Sequence, residues 1–338
     1  MKKALLYSIF ALGIASTTLT SCEDIFGGFL DKQPSNELTG EQVFSDWNLT
    51  VQFHLDTYNF LRHGAGRIST TWLDAATDLA ETSYGNGVRT SFNIGNFYGG
   101  SGASELVDTW EHYYRGIRKC NMLLTRIEEV PQNPAVSEDK YNRDKKNYIA
   151  EARFLRAYFY WELFLRYGPI PIVKEVLDPN GDLMSKYTTR PTTKEYVVDF
   201  ILEELKSCEG NLLDYETAWK SSSAGRIGQP MACALRSRIM LFMASPRYSS
   251  ESGITWQQAA DVAKEFIDTY GANFALFNAK DATGATLGIE NYTNALLRTA
   301  YQGSNKEVIF YRNDDKQNWG NIKNDTPVGE GGNVGLFP

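Results

Sequence analysis

The residues best suited to chemistry lie in one run, Gly64 to Ala103, between the first two amphipathic segments. Five rings, Trp72, Tyr84, Phe92, Phe97 and Tyr98, alternate there with Asp74, Asp78, Asn86, Arg89, Asn93 and Asn96. Eight glycines let the backbone bend sharply between them. A flat ring stacks on the C–H face of a sugar, while amides, carboxylates and a guanidinium pair with its hydroxyls, so the combination suits a neutral oligosaccharide. The competing reading of any one ring is that it staples the loop onto the helices. Connections longer than about 12–15 residues are uncommon in compact domains and are usually functional or disordered. Disordered linkers are poor in aromatic residues, which favours an ordered loop here. A further ring, Trp319, sits in Lys316-Gln317-Asn318-Trp319-Gly320-Asn321 with no periodic reason to be buried, and so suits an exposed stacking role.

Catalytic constellations are not evident. The chain carries no Gly-x-Ser-x-Gly, no phosphate-binding glycine loop followed by Lys-Ser/Thr and no His-Glu-x-x-His. A glycosidase needs only two acids at the right separation in space, and sequence spacing singles out no such pair. Asp178-Pro179-Asn180-Gly181-Asp182 superficially resembles a calcium loop but lacks its ligand order and distal glutamate, so it is read as a plain turn. His54, His63 and His112 lack zinc-site spacing, and no Cys-x-x-Cys occurs. The expectation is a binding protein with no cofactor and no metal, not an enzyme.

These candidates must be positioned by helices. The stretch Ala150 to Val173 is apolar almost all round: Ala152, Leu155, Phe159 and Leu163 share one face, Phe154, Tyr158, Trp161 and Leu165 a second, with Ala157, Tyr160 and Phe164 between. Such a helix must be enclosed by other elements, which makes it the central strut, stopped by Gly168-Pro169. Of its polar residues Arg153, Arg156, Glu162 and Arg166, the pair Glu162 and Arg166 at i,i+4 is expected to form a structural ion pair. Five further stripes at helical spacing surround it. They are Phe44, Trp47, Val51, Leu55 and Tyr58; then Leu106, Trp110, Tyr113, Ile117, Cys120, Leu124 and Ile127; then Val198, Ile201, Leu205, Cys208 and Leu212; then Met231, Leu235, Ile239 and Phe242; and last Trp256, Ala259, Ala263, Phe266 and Tyr270. Capping boxes are expected at Thr39/Gln42, Thr192/Glu195 and Thr255/Gln258, with Gly271 as the last stop. Cys120, Cys208 and Cys233 fall inside stripes and read as small buried hydrophobes, with no disulfide framework. Beyond Gly271 the helical pattern disappears. Val308 to Tyr311 is expected to be a short strand, and the chain reaches Leu336-Phe337-Pro338 without a closing element.

At 338 residues, 42% hydrophobic and 22% charged, the composition is that of a globular protein with room for a large core. The formal net charge of −7 gives no global attraction for nucleic acid. Lys2 and Lys3, an apolar run from Ala4 to Ala15, and then small and polar residues make residues 1–21 an export signal, too short in its apolar part to span a bilayer. Leu19-Thr20-Ser21-Cys22 resembles the lipobox of bacterial lipoproteins, in which the cysteine is acylated and becomes the mature N-terminus. In the alternative, an ordinary secretory peptide, Cys22 is a bystander.

The segment AEARFLRAYFYWEL at 150–163, running into Tyr167-Gly168-Pro169-Ile170-Pro171, resembles the hallmark helix of the SusD/RagB family. SRIMLFMASP at 237–246 and Phe29-Leu30-Asp31 resemble other family segments, and Glu23-Asp24 resembles its acidic surface-export signal. The resemblance implies a mainly α fold of tetratricopeptide-like helix pairs with long irregular loops. It also implies an outer-membrane lipoprotein, surface-exposed and anchored through Cys22, that binds oligosaccharide beside a SusC-like TonB-dependent transporter. The organisation expected is a signal peptide (1–21), a tether (22–38), a helical domain (39–271) and a partial, loop-rich C-terminal region (272–338), because family members generally continue further. In the family the ligand surface combines the loop after the first helix with later loops. The matching positions are Trp72, Tyr84, Tyr98 and Trp319 as platforms, and Asp78, Asn86 and Arg89 as hydrogen-bonding partners. Two alternatives remain open: a lipid-anchored adaptor with a peptide-binding helical groove, and a lipoprotein glycoside hydrolase.

Overall fold

The computed structural model describes residues 39–62, 67–68, 71–72, 77–78, 81–82, 94–95, 104–178, 180–277, 283–285, 306–311 and 336–337. The chain forms two compact units, Met1–Val43 and Phe44–Pro338. In the first, the described part is the expected capping box: the Thr39 amide donates to Gln42 Oε1 (2.8 Å) and the Gln42 amide to Thr39 Oγ1 (3.3 Å), opening helix α1 (Gly40–Phe44).

The second unit begins with a correction. The first stripe does not run as one helix, because Asp46 accepts from the Leu49 amide and starts a new one, α2 (Trp47–Asp56), which closes in a 3₁₀ turn, Thr57–Phe60. The buried face is Phe44, Trp47, Thr50, His54 and Thr57, whereas Leu55 is 40% exposed. His54 takes the inside because a buried carboxylate, Glu151, accepts from it there, while Thr50 and Thr57 donate to backbone carbonyls of their own helix, Asp46 and Phe53.

Two short antiparallel strands follow, β1 (Arg67–Ile68) and β2 (Thr71–Trp72), and then β3 (Glu81–Thr82). The run after the first helix therefore contains strands where none was expected. Helix α3 (Ser104–Arg126) carries the second stripe, and Tyr113, Ile117 and Cys120 are buried as the spacing implies, while Trp110 is 42% exposed. Helix α4 (Glu138–Tyr167), capped by Ser137 and ended by Gly168 at φ +67°, is the strut. It buries Phe154, Leu155, Ala157, Phe159, Tyr160, Trp161, Leu163 and Phe164; Leu165, on its second face, is 42% exposed. Tyr113 stacks on Phe159 (5.5 Å), Arg156 reaches Asn121 (2.9 Å) and Tyr141 donates to the Val130 carbonyl (2.6 Å), so α3 and α4 run antiparallel.

The turn at Asp178 is a plain one: its side chain accepts from the Asn180 amide and its carbonyl from Gly181. After the short α5 (Leu183–Lys186), the Thr192/Glu195 box opens a π-helix, Lys194–Leu202, that continues as α6 (Glu203–Glu209). The wider turns bring Tyr196 and Ile201, five residues apart, both into the core. The short α7 (Tyr215–Ala218) precedes α8 (Gln229–Met243), then α9 (Ser249–Ser252) and α10 (Trp256–Tyr270), the last with its expected box at Thr255 and Gln258. Each long helix packs on the next, α3 on α4, α4 on α6, α6 on α8 and α8 on α10. The outermost stripes are only partly covered, with Phe242 at 39% and Trp256 at 56% exposure.

Two expectations about the last part are corrected. Val308 to Tyr311 is not a strand; it lies half-buried, with Phe310 packed against the core. Leu336–Phe337 is a strand, β4, paired antiparallel with β3. Cys120, Cys208 and Cys233 are buried and unbridged, and burial pushes their thiols up to about 12, 12 and 11.

Helices α3 and α4 approach closely at Gly116, where an added Cβ would stand 2.7 Å from Phe159 and 3.1 Å from Phe60. Overpacking of about 1–3 kcal/mol exceeds the roughly 1 kcal/mol that alanine gains in helix propensity. Gly116→Ala should therefore lower the urea midpoint. Gly210→Ala, at an ordinary φ of −65° with no atom within 4 Å, should leave it unchanged or raise it. Equal effects from the two would contradict this packing.

Candidate ligand-binding site

The expected platforms and partners are only partly within the described residues. Trp72 lies in β2, its Cα opposite Arg67, and Asp78 is exposed in a turn. Tyr84, Asn86, Arg89, Tyr98, Trp319 and the acylation candidate Cys22 lie outside the described residues. The β3–β4 pairing does bring Glu81 and Thr82, within the loop after the first helix, onto Phe337 and Leu336 late in the chain.

A cleft of about 210 Å³ opens on the helical body, lined by Leu55, Tyr58, Asn59 and Leu61 from the end of the first helix, Ala224 to Arg226, and Phe310. It shares Gly225, Arg226 and Phe310 with an adjoining recess walled by Tyr215, Trp219, Ile309 and Tyr311. Local sequence explains the wall. Asp214 caps α7 by accepting from the Thr217 amide (2.8 Å), and this turn of helix places Tyr215 and Trp219 side by side at 5.8 Å. Trp219 in turn meets Tyr311 at 5.5 Å. Gly225 at φ +80° supplies the left-handed turn before Arg226.

Beneath the cleft lies Glu151, with no exposed surface. Its Oε2 accepts from His54 Nε2 (2.8 Å) and from the Tyr58 hydroxyl (2.8 Å), and its Oε1 accepts from Arg226 Nε (3.0 Å) and Nη2. An ionised carboxylate only accepts, so the imidazole carries its proton on Nε2 toward it. The Ile227 amide donates to the Tyr58 oxygen (3.2 Å), and the Arg226 guanidinium lies over the Tyr148 ring at 4.8 Å. Burial alone would raise the Glu151 pKa; the Arg226 charge, followed by the His54 hydrogen bond, outweighs it and holds the carboxyl below its ordinary range. Burial and the neighbouring Glu151 charge together push Tyr58 well above a normal phenol. By spacing Tyr58 belongs to an apolar stripe, and neither Arg226 nor Glu151 falls in an apolar stripe or a capping box. A carboxylate on the buried helix with no basic residue at i+4, where Glu162 has Arg166, is the signal that calls for cations from elsewhere in the fold.

The same pattern recurs along the array. Glu204 pairs with Arg156 (2.8 Å) and Arg153 (3.0 Å), and Arg236 bridges Glu209 and Glu265. Glu209, Cys233 and Glu265 have the mutual spacing of a metal site, but Arg236 already supplies the positive charge between the two carboxylates. The anticipated pair of Glu162 and Arg166 forms at 2.9 Å.

A family profile described as starch-binding and associating with the outer membrane, the SusD-like profile, matches residues 28–241. The chain belongs to the SusD-like family. A SusD-like protein from Bacteroides fragilis NCTC 9343 superposes with a TM-score of 0.63 at 24% identity, over 86% of this chain and 49% of its own. A SusD-like carbohydrate-binding protein from the same organism gives 0.52 at 20% identity, over 69% and 42%. A laminarin-binding SusD-like protein gives 0.50 at 20% identity, over 72% and 47%. This SusD-like chain therefore spans about half the length of these structures, which at such identities establish its fold. No curated protein matches it. None of the described helices is long and apolar enough to cross a membrane.

A depressed Glu151 pKa makes stability depend on pH. Because the folded value lies below the ordinary 4.5, the carboxylate's contribution is complete above pH 4.5 and is lost as pH falls through the folded value. At neutral pH Glu151→Gln should be about 3–5 kcal/mol less stable, since Arg226 keeps a buried charge without its partner. Urea titrations from pH 7 to pH 3 should show that gap narrowing only below pH 4.5. A gap that stays constant would contradict an ionised, paired Glu151.

Proposed function

We propose that this SusD-like protein is a surface-exposed lipoprotein that binds neutral oligosaccharide and delivers it to a SusC-like TonB-dependent transporter in the outer membrane. The observation that carries the reading is the cleft beside Tyr58 and Phe310 on a family scaffold, adjoined by the recess that Tyr215, Trp219 and Tyr311 wall. Tyr215, Trp219 and Tyr311 offer flat apolar faces, while Asn59 and Arg226 offer hydrogen bonds a few residues away. The loop rings Trp72, Tyr84 and Tyr98, together with Trp319, are proposed to extend this surface, with Asp78, Asn86 and Arg89 as partners. Cys22 is the proposed acylation site that holds the protein at the membrane.

Binding by stacking and neutral hydrogen bonds should depend little on salt, because no ligand charge is screened. After a glycan array selects the oligosaccharide, calorimetry on alanine variants of Trp219, Trp72, Tyr84, Tyr98 and Trp319 should show a loss of about 1–3 kcal/mol for each true platform, by analogy with bases stacked on aromatic rings. Unchanged affinity in all five, with folding intact, would reject this surface. Mild-detergent purification from outer membranes should bring down a transporter with the wild type. Cys22→Ala should leave the membrane fraction, and a variant still anchored and acyl-labelled would reject the anchor.

A further inference from the structure

The charge arithmetic of the cleft points to what it refuses. Arg226 is the one charged side chain among the described residues lining it. Two of its three nitrogens, Nε and Nη2, donate to Glu151, and the third, Nη1, has no partner among the described residues. Its side chain keeps 18% of its surface exposed, against none for Glu151. The cleft therefore meets a cation whose charge is already cancelled from behind, with hydrogen-bonding capacity left over.

We propose that Glu151 is the specificity-determining residue of this cleft: by neutralising Arg226 from beneath, it makes the site a hydroxyl binder for uncharged sugar rings that rejects uronate-bearing ones. Glu151 touches no ligand itself. It acts through Arg226 and Tyr58, which line the cleft and are both hydrogen-bonded to its carboxylate. A guanidinium free of a protein carboxylate would seek one in the ligand, in the bidentate geometry that Arg and carboxylates favour. Here the Nε/Nη2 edge is already used, and a ligand carboxylate would meet an ion pair of no net charge rather than an unpaired cation. The groups facing Glu151 are His54 and Tyr58 from the first helix and its closing turn, Arg226 from the turn before α8, and Tyr148 one turn earlier on α4. Of these, Arg226 is the only one that reaches the cleft as a permanent cation. The proposal rests on the cleft being a glycan site.

The test is a glycan array carrying matched neutral and uronate-bearing oligosaccharides, probed with the full-length lipoprotein in detergent as wild type, Glu151→Gln and Arg226→Gln. Wild type should retain neutral chains at least about tenfold better than their uronate counterparts. Glu151→Gln, which uncovers the Arg226 charge, should shift the ratio toward uronates by about tenfold or more, a change of selectivity that mere loss of stability would not produce. Arg226→Gln should lose neutral binding without gaining uronates, and the wild-type ratio of neutral to uronate binding decides the matter if the variants fail to fold. Wild type that takes uronates equally well, a Glu151→Gln ratio that does not move, or an Arg226→Gln that keeps full neutral binding would each overturn the inference while leaving glycan binding intact. Wild type that retains no glycan at all would overturn the binding reading, and the inference with it.

Discussion

The interaction on which the most structure depends is the enclosure of one carboxylate. Glu151 projects from the middle of the strut helix into the interior, with no solvent-exposed surface, and its two oxygens are held by side chains from the first helix, its closing turn and the turn before α8. Taking a carboxylate out of water costs several kcal/mol, offset only if geometry and hydrogen bonding are complete. Here four donors complete it. The first helix therefore places His54 inward where its sequence offers Leu55, and the turn at Gly225 must bring Arg226 inward. The cleft floor is a by-product of satisfying that charge.

The rest of the body repeats the device at lower stakes. Glu204 joins α4 to α6 through Arg153 and Arg156, and Arg236 joins α6, α8 and α10 through Glu209 and Glu265. Between these polar joints the helices meet through rings: Tyr113 on Phe159, Tyr160 against Tyr196 and Phe200, Phe164 on Tyr196. Apolar burial supplies most of the cohesion in such an array, and the ion pairs fix which helix sits beside which. A rigid array of this kind leaves its connecting loops free to carry recognition.

Features built from neighbours in sequence were legible. The capping boxes at Thr39, Thr192 and Thr255 and the Glu162–Arg166 pair span three or four residues, so spacing alone implies them. The all-round apolar strut was legible because no exposed helix carries Phe154, Leu155, Phe159 and Leu163 together. Features built from distant residues were not. His54 and Arg226 reach Glu151 across 97 and 75 residues, and the partner of Glu81 is Phe337. The π-helix turns at Tyr196 and the break at Asp46 shifted faces that a strict 3.6-residue period misplaces. The ring wall was missed because Tyr215 and Trp219 stand on a single turn of helix, too short to register as a stripe, and Tyr311 joins them only through the fold.

The central claim, that Glu151 and Arg226 are held as a mutually dependent pair, is tested most directly by a double-mutant cycle. Urea unfolding at pH 7 would be measured for wild type, Glu151→Gln, Arg226→Gln and the double variant. A coupling of about 0.5–3 kcal/mol, with the double variant losing less than the two single losses together, is the result expected for a pair in contact within one network. Additive losses would contradict it, since each residue would then be stabilising the fold without reference to the other.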